Sequence, residues 1–466
     1  MAGPSRLTPF SRLLIALGIA GGVFYAVKKI LPQSKSNGST AAVTAVPETP
    51  KTGKANKATA ILTLSGSGTL GANLIPKMAQ QFMTTELSGQ NVQIQKISEN
   101  ITEITGTIGG NAQKIVVNAT GSAQGMSDVL GKKADIAMLS STLDGGSTDM
   151  NATVVALDGI AVVVNSANPV KELKKQQLRD IFTGKITDWS QVGGTKGAIK
   201  CQARDNKSGT FDAFNTMVLD KTAMIAGVRT HDSAGALVKV VASDPTAIGF
   251  TSFSELGGTR ALGIAENGAS VKYPSVFTVE TEDYCLSRRL YLLTPKTGAN
   301  AVAQQFVSYA QADTKGQKVV AESGFVNMDL HNTNTTQQTV VKTTNTPPQY
   351  VAATNGASRL PTTLHFKTAS STPDERAMAD LERLKKLAAE PQNRSKRLTL
   401  IGFTDNQGDP KANLALSVQR AQSIQSELAK AGITAISTGF GPALPIADNA
   451  LPTGKDKNRR VEVWMK

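Results

Sequence analysis

The middle of the chain repeats one local pattern three times: an apolar, strand-like run, a turn of hydroxyl residues and glycines, and a helix with an apolar face. The repeated order of strand, turn and helix is typical of an α/β domain. The three turns are Ser65-Gly66-Ser67-Gly68-Thr69, Gly121-Ser122-Ala123-Gln124-Gly125 and Arg204-Asp205-Asn206-Lys207-Ser208-Gly209-Thr210.

These turns have the chemistry of an anion site. Glycines let a ligand approach the backbone closely, and the free N–H groups at a helix start, together with the helix dipole, favour a negative charge. A single turn of this kind is ordinary helix capping. Three of them, with Arg204 four residues before Ser208, supply the many donors and the fixed cation that a tetrahedral oxyanion needs.

Further runs in the same order make residues 60 to 330 resemble the phosphate-binding proteins of phosphate ABC transporters. Besides the first and third turns, the matching runs are Ala134-Asp135-Ile136-Ala137 and Ile181-Phe182-Thr183-Gly184-Lys185-Ile186-Thr187-Asp188-Trp189. The resemblance implies a type II periplasmic binding-protein fold, in which two α/β lobes flank a cleft and the chain crosses between them twice. Lobe one is then expected to comprise about 60–150 and 240–330.

The resemblance also implies the residues that contact phosphate. They are Thr69 and the backbone N–H of Leu70, Ser122, Asp135, Arg204, Ser208, Gly209 and Thr210. Asp135 is expected to accept a hydrogen bond from a protonated phosphate and so to disfavour sulfate; the alternative is a solvated carboxylate at a strand start. Leu70 stands where those proteins often have an aromatic residue, which leaves the backbone donor unchanged.

A separate C-terminal unit resembles the peptidoglycan-binding domain of outer membrane protein A over about 362–466. The matching runs are Gly402-Phe403-Thr404-Asp405-Asn406 with Gly408, Asn413 with Leu416-Ser417 and Arg420-Ala421, Gly439-Phe440-Gly441 with Pro445, and Asn458-Arg459-Arg460-Val461-Glu462-Val463. The resemblance implies an α/β domain in which Asp405, Asn413 and Arg420 bind the wall peptide. Asp405 and Arg420 would hold the amine and the carboxylate of diaminopimelate.

The N-terminal region predicts a membrane anchor. Residues 13–31 form an apolar stretch that Pro32 ends, and Lys28 and Lys29 can reach the membrane surface from its end. A cleaved signal peptide is the alternative, although no small-residue cleavage site directly follows the apolar run. We expect residues 1–12 in the cytoplasm, a flexible linker at 32–58, the phosphate-binding-like domain at 59–331, a second linker at 332–358 and the wall-binding domain at 359–466.

Charge and composition exclude several classes of protein. The net charge of +14 divides into +7 for residues 1–57, +1 for 58–355 and +6 for 356–466, so the middle domain has no basic surface for nucleic acid. The histidines, His231, His331 and His365, are too scattered to suggest a histidine-based metal site. The two cysteines, Cys201 and Cys285, could form a disulfide or remain buried thiols. No cofactor and no catalytic residue is predicted.

The leading hypothesis is therefore a non-enzymatic protein of a Gram-negative bacterium, anchored in the inner membrane with both domains in the periplasm. It would bind inorganic phosphate or a similar oxyanion and hold peptidoglycan, for local capture or sensing of phosphate, with an ABC permease or a sensor as a further partner. The alternative is an envelope scaffold whose middle domain no longer binds phosphate. A phosphatase would need a nucleophile with a nearby base, or a metal set; apart from Asp135 the motifs offer no candidate, and Ser208 has no histidine near it in its motif.

Overall fold

The computed structural model describes residues 58–140, 149–206, 208–312, 314–330 and 346–466. The predicted membrane segment, 13–31, lies outside these residues, as do all but the last residue of the first linker and most of the second. No helix within the described ranges is both long and apolar enough to cross a membrane.

In the middle domain a helix follows each of the three turns, after β1, β4 and β8, as the sequence predicts. Its strands are β1 (Thr59–Gly66), β2 (Gln90–Lys96), β3 (Ile101–Ile108), β4 (Asn111–Asn118), β5 (Ile136–Leu139), β6 (Met150–Val164), β7 (Glu172–Lys174), β8 (Lys200–Arg204), β9 (Arg229–His231), β10 (Ala247–Ser252), β11 (Arg260–Ala261), β12 (Gly263–Ala265) and β13 (Ser287–Pro295). Its helices are α1 (Ile75–Thr85), preceded by a π-helical turn (Leu70–Leu74), α2 (Ser122–Leu130), α3 (Lys175–Phe182), a 3₁₀ turn (Trp189–Val192), α4 (Gly209–Met217), α5 (Ala234–Ser243), α6 (Val276–Glu280), α7 (Ala301–Gln311) and α8 (Gly316–Glu322).

One long strand joins the two lobes. The sheet order is β2-β3-β4-β1-β5-β13-β6-β10-β8-β9, and β11 also pairs with β6. The first part of β6 pairs antiparallel with β13 in lobe one, and its last five residues, from Ile160, pair antiparallel with β10 in lobe two. The chain enters lobe two along β6 and returns to lobe one at the start of β13.

The chain returns to lobe one through residues 281–286, between α6 and β13, which we call the return crossing. Its position differs from the lobe boundary expected from the sequence. The sequence placed residues from about 240 onward in lobe one, whereas α5 and β10 both belong to lobe two. The reason is the pairing of β10 with β6 and β8, which buries Ile248 and Phe250 in the lobe-two core beside Phe182 and Phe214. The lobe-one core instead collects apolar residues of β1, α1, β13 and α7.

The C-terminal domain is a four-stranded sheet with helices. Its elements are α9 (Pro348–Thr354), β14 (Ser358–His365), α10 (Glu375–Ala389), β15 (Leu398–Gly402), α11 (Pro410–Lys430), β16 (Ala435–Gly439), α12 (Pro452–Asn458) and β17 (Arg460–Met465). The sheet order is β14-β17-β15-β16. Helices α10 and α11 each pack an apolar face into its core, with Leu381, Leu384, Ile424 and Leu428 buried.

Helix α9 lies inside the stretch that the sequence predicted as linker, 332–358. It packs on the C-terminal domain through Tyr350, whose ring lies edge-on to those of Trp464 and Phe440, with ring centroids 6.1 and 5.6 Å away. The Tyr350 hydroxyl also donates to Glu462 Oε2 at 2.8 Å. The C-terminal domain therefore begins before residue 359, with α9 as its first element.

The C-terminal domain packs on the segment that returns from lobe two to lobe one. Glu280, at the end of α6, is buried in this contact near Arg383 of α10, and its two carboxylate oxygens have no hydrogen-bond partner among the described residues. Burial raises the pKa of the Glu280 carboxyl to about 9, against the opposing effect of Arg383. The folded protein therefore holds a neutral carboxyl here at pH 7.

We predict that Glu280→Gln stabilises the protein at neutral and mildly alkaline pH. The folded carboxyl keeps its proton until about pH 9, whereas the unfolded one ionises near 4.5, so stability falls as the pH rises between these values. The amide removes this loss, which amounts to about 3 kcal/mol at pH 7 and vanishes near pH 4. Denaturant unfolding at several pH values measures the effect, with the exposed Glu322→Gln as control. Parallel stability curves for Glu280→Gln and wild type would refute it.

Candidate functional site

The first two turns meet at the carboxyl ends of β1 and β5. Gly66 has a φ of +138°, and a Cβ there would lie 2.2 Å from the carbonyl oxygen of Met138, so only glycine fits. The backbone N–H of Gly121 donates to the carbonyl oxygen of Gly66 at 2.8 Å, which ties the second turn to the first. Ser122, at the start of α2, accepts from the backbone N–H of Ser140 at 3.2 Å.

The third turn reaches the first from the other lobe. Ser208 caps α4 by accepting from the backbone N–H of Thr210 at 3.2 Å. A Cβ on Gly209 would lie 2.2 Å from Thr69 Oγ1 and 2.6 Å from its Cα, so the two lobes touch where their helices begin. Leu70 is fully buried in the lobe-one core, which leaves its backbone as the part of it that can serve a ligand.

Arg288 lies among these turns, although no sequence motif pointed to it. It is on β13, and its Nη2 donates to Thr69 Oγ1 at 2.9 Å and to the carbonyl oxygen of Gly209 at 3.2 Å. Its Nη1 donates to the carbonyl oxygen of Ser140 at 3.2 Å. Its partner across the strand pair is Asp158 on β6, with Nη2 and Oδ2 3.0 Å apart. The only sequence signal was a pair of arginines, 288 and 289, in an otherwise apolar strand.

Two polar atoms at the turns are buried without a hydrogen-bond partner in the described part of the chain. One is Ser67 Oγ, in the first turn, and the other is Nε of Arg204, at the end of β8. Arg204 Nη2 donates to the carbonyl oxygen of Asp232 at 3.1 Å. Buried polar groups are normally satisfied, so unpartnered ones beside three helix starts fit a site for a ligand.

Asp135 is not part of this group. Its Oδ2 accepts from the backbone N–H of Thr63 at 2.8 Å, and its Oδ1 accepts from Asn300 Nδ2 at 3.1 Å. It precedes β5, whereas Ser140 follows it, which separates the two residues by on the order of 15 Å along an extended strand. This placement corrects the expectation that Asp135 faces the ligand of the cleft.

The three residues expected to bind the wall peptide come together at the end of β15. Asp405 is buried, with its Oδ2 2.9 Å from Nη1 of Arg459. Asn413 Nδ2 donates to the carbonyl oxygen of Gln407 at 2.8 Å, so it shapes the loop that follows Asp405. The sequence motifs contained Arg459 but gave it no role.

Arg420 is fully buried on α11 and held by backbone carbonyls. Its Nε, Nη1 and Nη2 donate to the carbonyl oxygens of Ser370, Phe403 and Lys367 at 2.9, 3.0 and 3.2 Å. Burial, followed by the nearby Arg459 charge, lowers the pKa of Arg420 to about 10. At neutral pH the group is still a cation, and it lies with Arg459 near the Asp405 carboxylate.

The cysteines are free thiols, which resolves the alternative that the sequence left open. Burial raises the pKa of both Cys201 and Cys285 to about 12, so both remain protonated at neutral pH. Over the described residues, no group of three or more histidine, cysteine or acidic side chains is arranged to hold a metal ion.

Comparisons with known proteins match both folded parts of the chain. Residues 52–314, more than half of it, match the model of the PBP superfamily domain, and residues 365–459 match that of the OmpA family. The phosphate-binding protein PstS of Bacillus subtilis is 28% identical over 273 residues, which is 58% of this chain and 81% of that protein. The corresponding protein of Borreliella burgdorferi is 24% identical over 230 residues, 46% of this chain and 80% of that one. These matches confirm both resemblances.

Among solved structures, an ABC-type phosphate transport receptor from Vibrio cholerae aligns with a TM-score of 0.47 and 24% sequence identity. The alignment covers 57% of this chain and 99% of that one.

We predict that Asp135→Ala destabilises the protein by about 1–2 kcal/mol. The substitution leaves the backbone N–H of Thr63 and the side-chain amide of Asn300 without their acceptor in a partly buried position. Thermal or denaturant unfolding measures the loss. Glu322→Ala, which removes an exposed carboxylate from a loose ion pair with Lys318, is the control and is expected to change stability little. Equal stabilities for the two variants would contradict the structural role of Asp135.

Proposed function

This chain belongs to the PBP superfamily, and we propose that its middle domain binds inorganic phosphate or a similar oxyanion while its C-terminal domain holds peptidoglycan. The proposal that the cleft binds an oxyanion rests on the hydrogen bonds that three hydroxyl groups in the cleft accept. Thr69, Ser122 and Ser208 each accept a hydrogen bond from a group that can only donate: the Arg288 guanidinium and the backbone N–H groups of Ser140 and Thr210.

A hydroxyl whose oxygen already accepts has its single hydrogen left to donate. Three such hydrogens, of which that of Ser122 can also point to Ser140 Oγ at 3.5 Å, together with three helix starts, make the cleft rich in donors and in positive potential. Arg204 adds a guanidinium whose Nε lacks a partner in the described residues, and Ser67 adds a further hydroxyl. A ligand with several acceptor oxygens and negative charge is complementary to this arrangement, and a neutral or cationic ligand is not.

The names of the relatives point to the same ligand class. The PstS proteins of Bacillus subtilis and Borreliella burgdorferi are phosphate-binding proteins, and they align over about four fifths of their own length. We therefore propose phosphate as the first ligand to test. Because Asp135 lies away from the cleft, its carboxylate supplies no discrimination against sulfate there, and sulfate is the necessary comparison.

Isothermal titration calorimetry of the full-length protein with phosphate, and separately with sulfate, tests this proposal. Wild type is expected to bind phosphate saturably. Arg204→Ala is expected to weaken binding about 10- to 100-fold, because a charge-assisted hydrogen bond is lost. Asp135→Ala is expected to leave the affinity unchanged. The exposed Arg394→Ala, in the C-terminal domain, is the control for a general loss of positive charge.

Absence of any saturable heat with either anion would refute the receptor role. The result would then favour the envelope scaffold, in which the middle domain binds something other than an oxyanion. Equal phosphate affinities of Arg204→Ala and Arg394→Ala would show that the binding site lies outside the cleft.

For the C-terminal domain we propose that Asp405 binds the amine of the wall peptide and that Arg420, with Arg459 beside it, binds the carboxylate. A zwitterionic amino-acid end requires one carboxylate and one guanidinium at a fixed separation. The carbonyls around Arg420 fix its guanidinium in one orientation, and because the group is fully buried, the loop that carries Lys367 and Ser370 has to move before a carboxylate can reach it. The OmpA family match over residues 365–459 supports this assignment.

We predict that Asp405→Asn sharply reduces co-sedimentation of the protein with purified peptidoglycan. The amide cannot supply the negative charge that an ammonium group needs, and a loss of about tenfold or more in affinity follows. Arg420→Lys is expected to act similarly, since an ammonium group cannot reproduce the planar fork of donors. Glu427→Gln, which removes the charge of a half-buried carboxylate on α11, is the control. Retention of full binding by Asp405→Asn would refute the assigned site.

For the whole protein we propose a location in the cell envelope, with residues 13–31 as an inner-membrane anchor and both folded domains in the periplasm. Peptidoglycan binding requires the C-terminal domain outside the inner membrane, which supports this orientation. A wall-bound receptor suits local capture or sensing of phosphate, and an ABC permease or a sensor is the partner that we propose for it.

A further inference from the structure

Two neighbouring arginines on β13 connect the cleft to the C-terminal domain. Arg288 reaches Thr69 and the backbone of Gly209 in the cleft. Arg289 reaches away from it, with Nη2 2.8 Å from Asp380 Oδ2 on α10. Successive side chains of a strand point to opposite sides, so a displacement of this part of β13 moves both contacts together.

The same return crossing is held at a second position. Asp283 accepts two hydrogen bonds from Arg359 of β14, at 2.6 and 3.0 Å, and both side chains are buried. Glu282, next to it, accepts from Arg289 Nε at 2.6 Å. The C-terminal domain therefore holds the short segment between α6 and β13 by buried ion pairs, and this segment is one of the connections between the two lobes.

A chain of ion pairs runs from the wall site to the helix that carries Asp380. Its members alternate in charge, and each contacts the next at hydrogen-bond distance. In order they are Asp405 to Arg459 at 2.9 Å, Arg459 to Asp456 at 3.1 Å, Asp456 to Arg376 at 3.0 Å, and Arg376 to Asp374 at 2.7 Å. Asp374 then caps α10 by accepting from the backbone N–H of Ala377 at 2.8 Å.

We propose that binding of the wall peptide at Asp405 weakens oxyanion binding in the cleft, with Asp380 as a positioning residue that acts on Arg288 through Arg289. This inference rests on the proposed function of both domains. The peptide amine competes with Arg459 for the Asp405 carboxylate, and the displaced Arg459 then disturbs the pairing of Asp456.

The effect reaches the cleft through helix α10. Disturbing Asp456 weakens its ion pair with Arg376. Arg376 then holds the Asp374 cap less firmly, and the first turn of α10 packs less tightly on the return crossing. A buried ion pair is sensitive to such a shift, because a partner that moves away leaves an uncompensated charge. Arg289 is then less firmly held by Asp380, and the placement of Arg288 beside Thr69 is less well defined.

The test is a linkage measurement on the full-length protein. The Kd for phosphate is determined by calorimetry without and with a saturating, soluble, diaminopimelate-containing muropeptide. We expect the muropeptide to raise the phosphate Kd of wild type about fivefold, and phosphate to raise the muropeptide Kd by the same factor, because coupling between two binding sites is reciprocal.

Variants of α10 locate the coupling. Asp380→Asn removes one of the two carboxylate charges that hold Arg289, the one supplied by α10. Its phosphate Kd is therefore expected to be higher from the start and to change less than twofold with the muropeptide. Asp380→Glu, which keeps the charge, is expected to restore most of the response. Glu382→Gln is the matched control, because Glu382 is on the same helix, exposed and paired with Lys385, and the full response is expected to remain.

The outcomes separate this inference from the function on which it rests. If wild type binds both ligands and its phosphate Kd is unchanged or lower in the presence of muropeptide, the coupling alone is refuted. No phosphate binding by wild type refutes the proposed function and the coupling with it. Because the linkage is measured on wild type, the coupling can be confirmed or refuted even where the Asp380→Asn variant fails to fold.

Discussion

The ion pair between Asp158 and Arg288 is the interaction on which the cleft depends. The two residues are directly opposite on β6 and β13, the strands that carry the chain from one lobe to the other. Asp158 compensates the guanidinium charge and holds it between the turns, where it contacts Thr69 of lobe one and the backbone of Gly209 of lobe two. Because a guanidinium only donates, it also determines that the Thr69 hydroxyl hydrogen is left for a ligand.

Much of this site could be predicted because its chemistry is local. The turns that contain Thr69, Ser122 and Ser208 are each contiguous in sequence, and glycines with hydroxyl residues before an apolar helix period can be recognised without a structure. The second lobe boundary could not be found in this way, since the pairing of β10 with β6 joins residues far apart in the chain. Arg288 was missed for the same reason: its partner Asp158 is 130 residues away.

Asp135 illustrates a different limit. A family resemblance transfers a residue by its place in a run of letters, whereas the direction of the strand decides which end of the sheet it occupies. The three turns follow their strands, but Asp135 precedes β5, and parallel strands such as β1 and β5 end at the same edge. The order of residue and strand was visible in the sequence and would have placed Asp135 at the far edge, where Thr63 and Asn300 use its carboxylate.

The charges buried between the two domains raise the question of what they contribute. A buried ion pair is weak evidence for stability, because well-packed apolar residues of similar volume are often at least as stable. Its distinctive property is geometric, since a bidentate pair such as Arg359 with Asp283 tolerates little displacement. The segment fixed in this way is the return crossing between the lobes, next to Arg288. An apolar contact at the same place would hold the domains together equally well but would define the position of the cleft arginine less sharply.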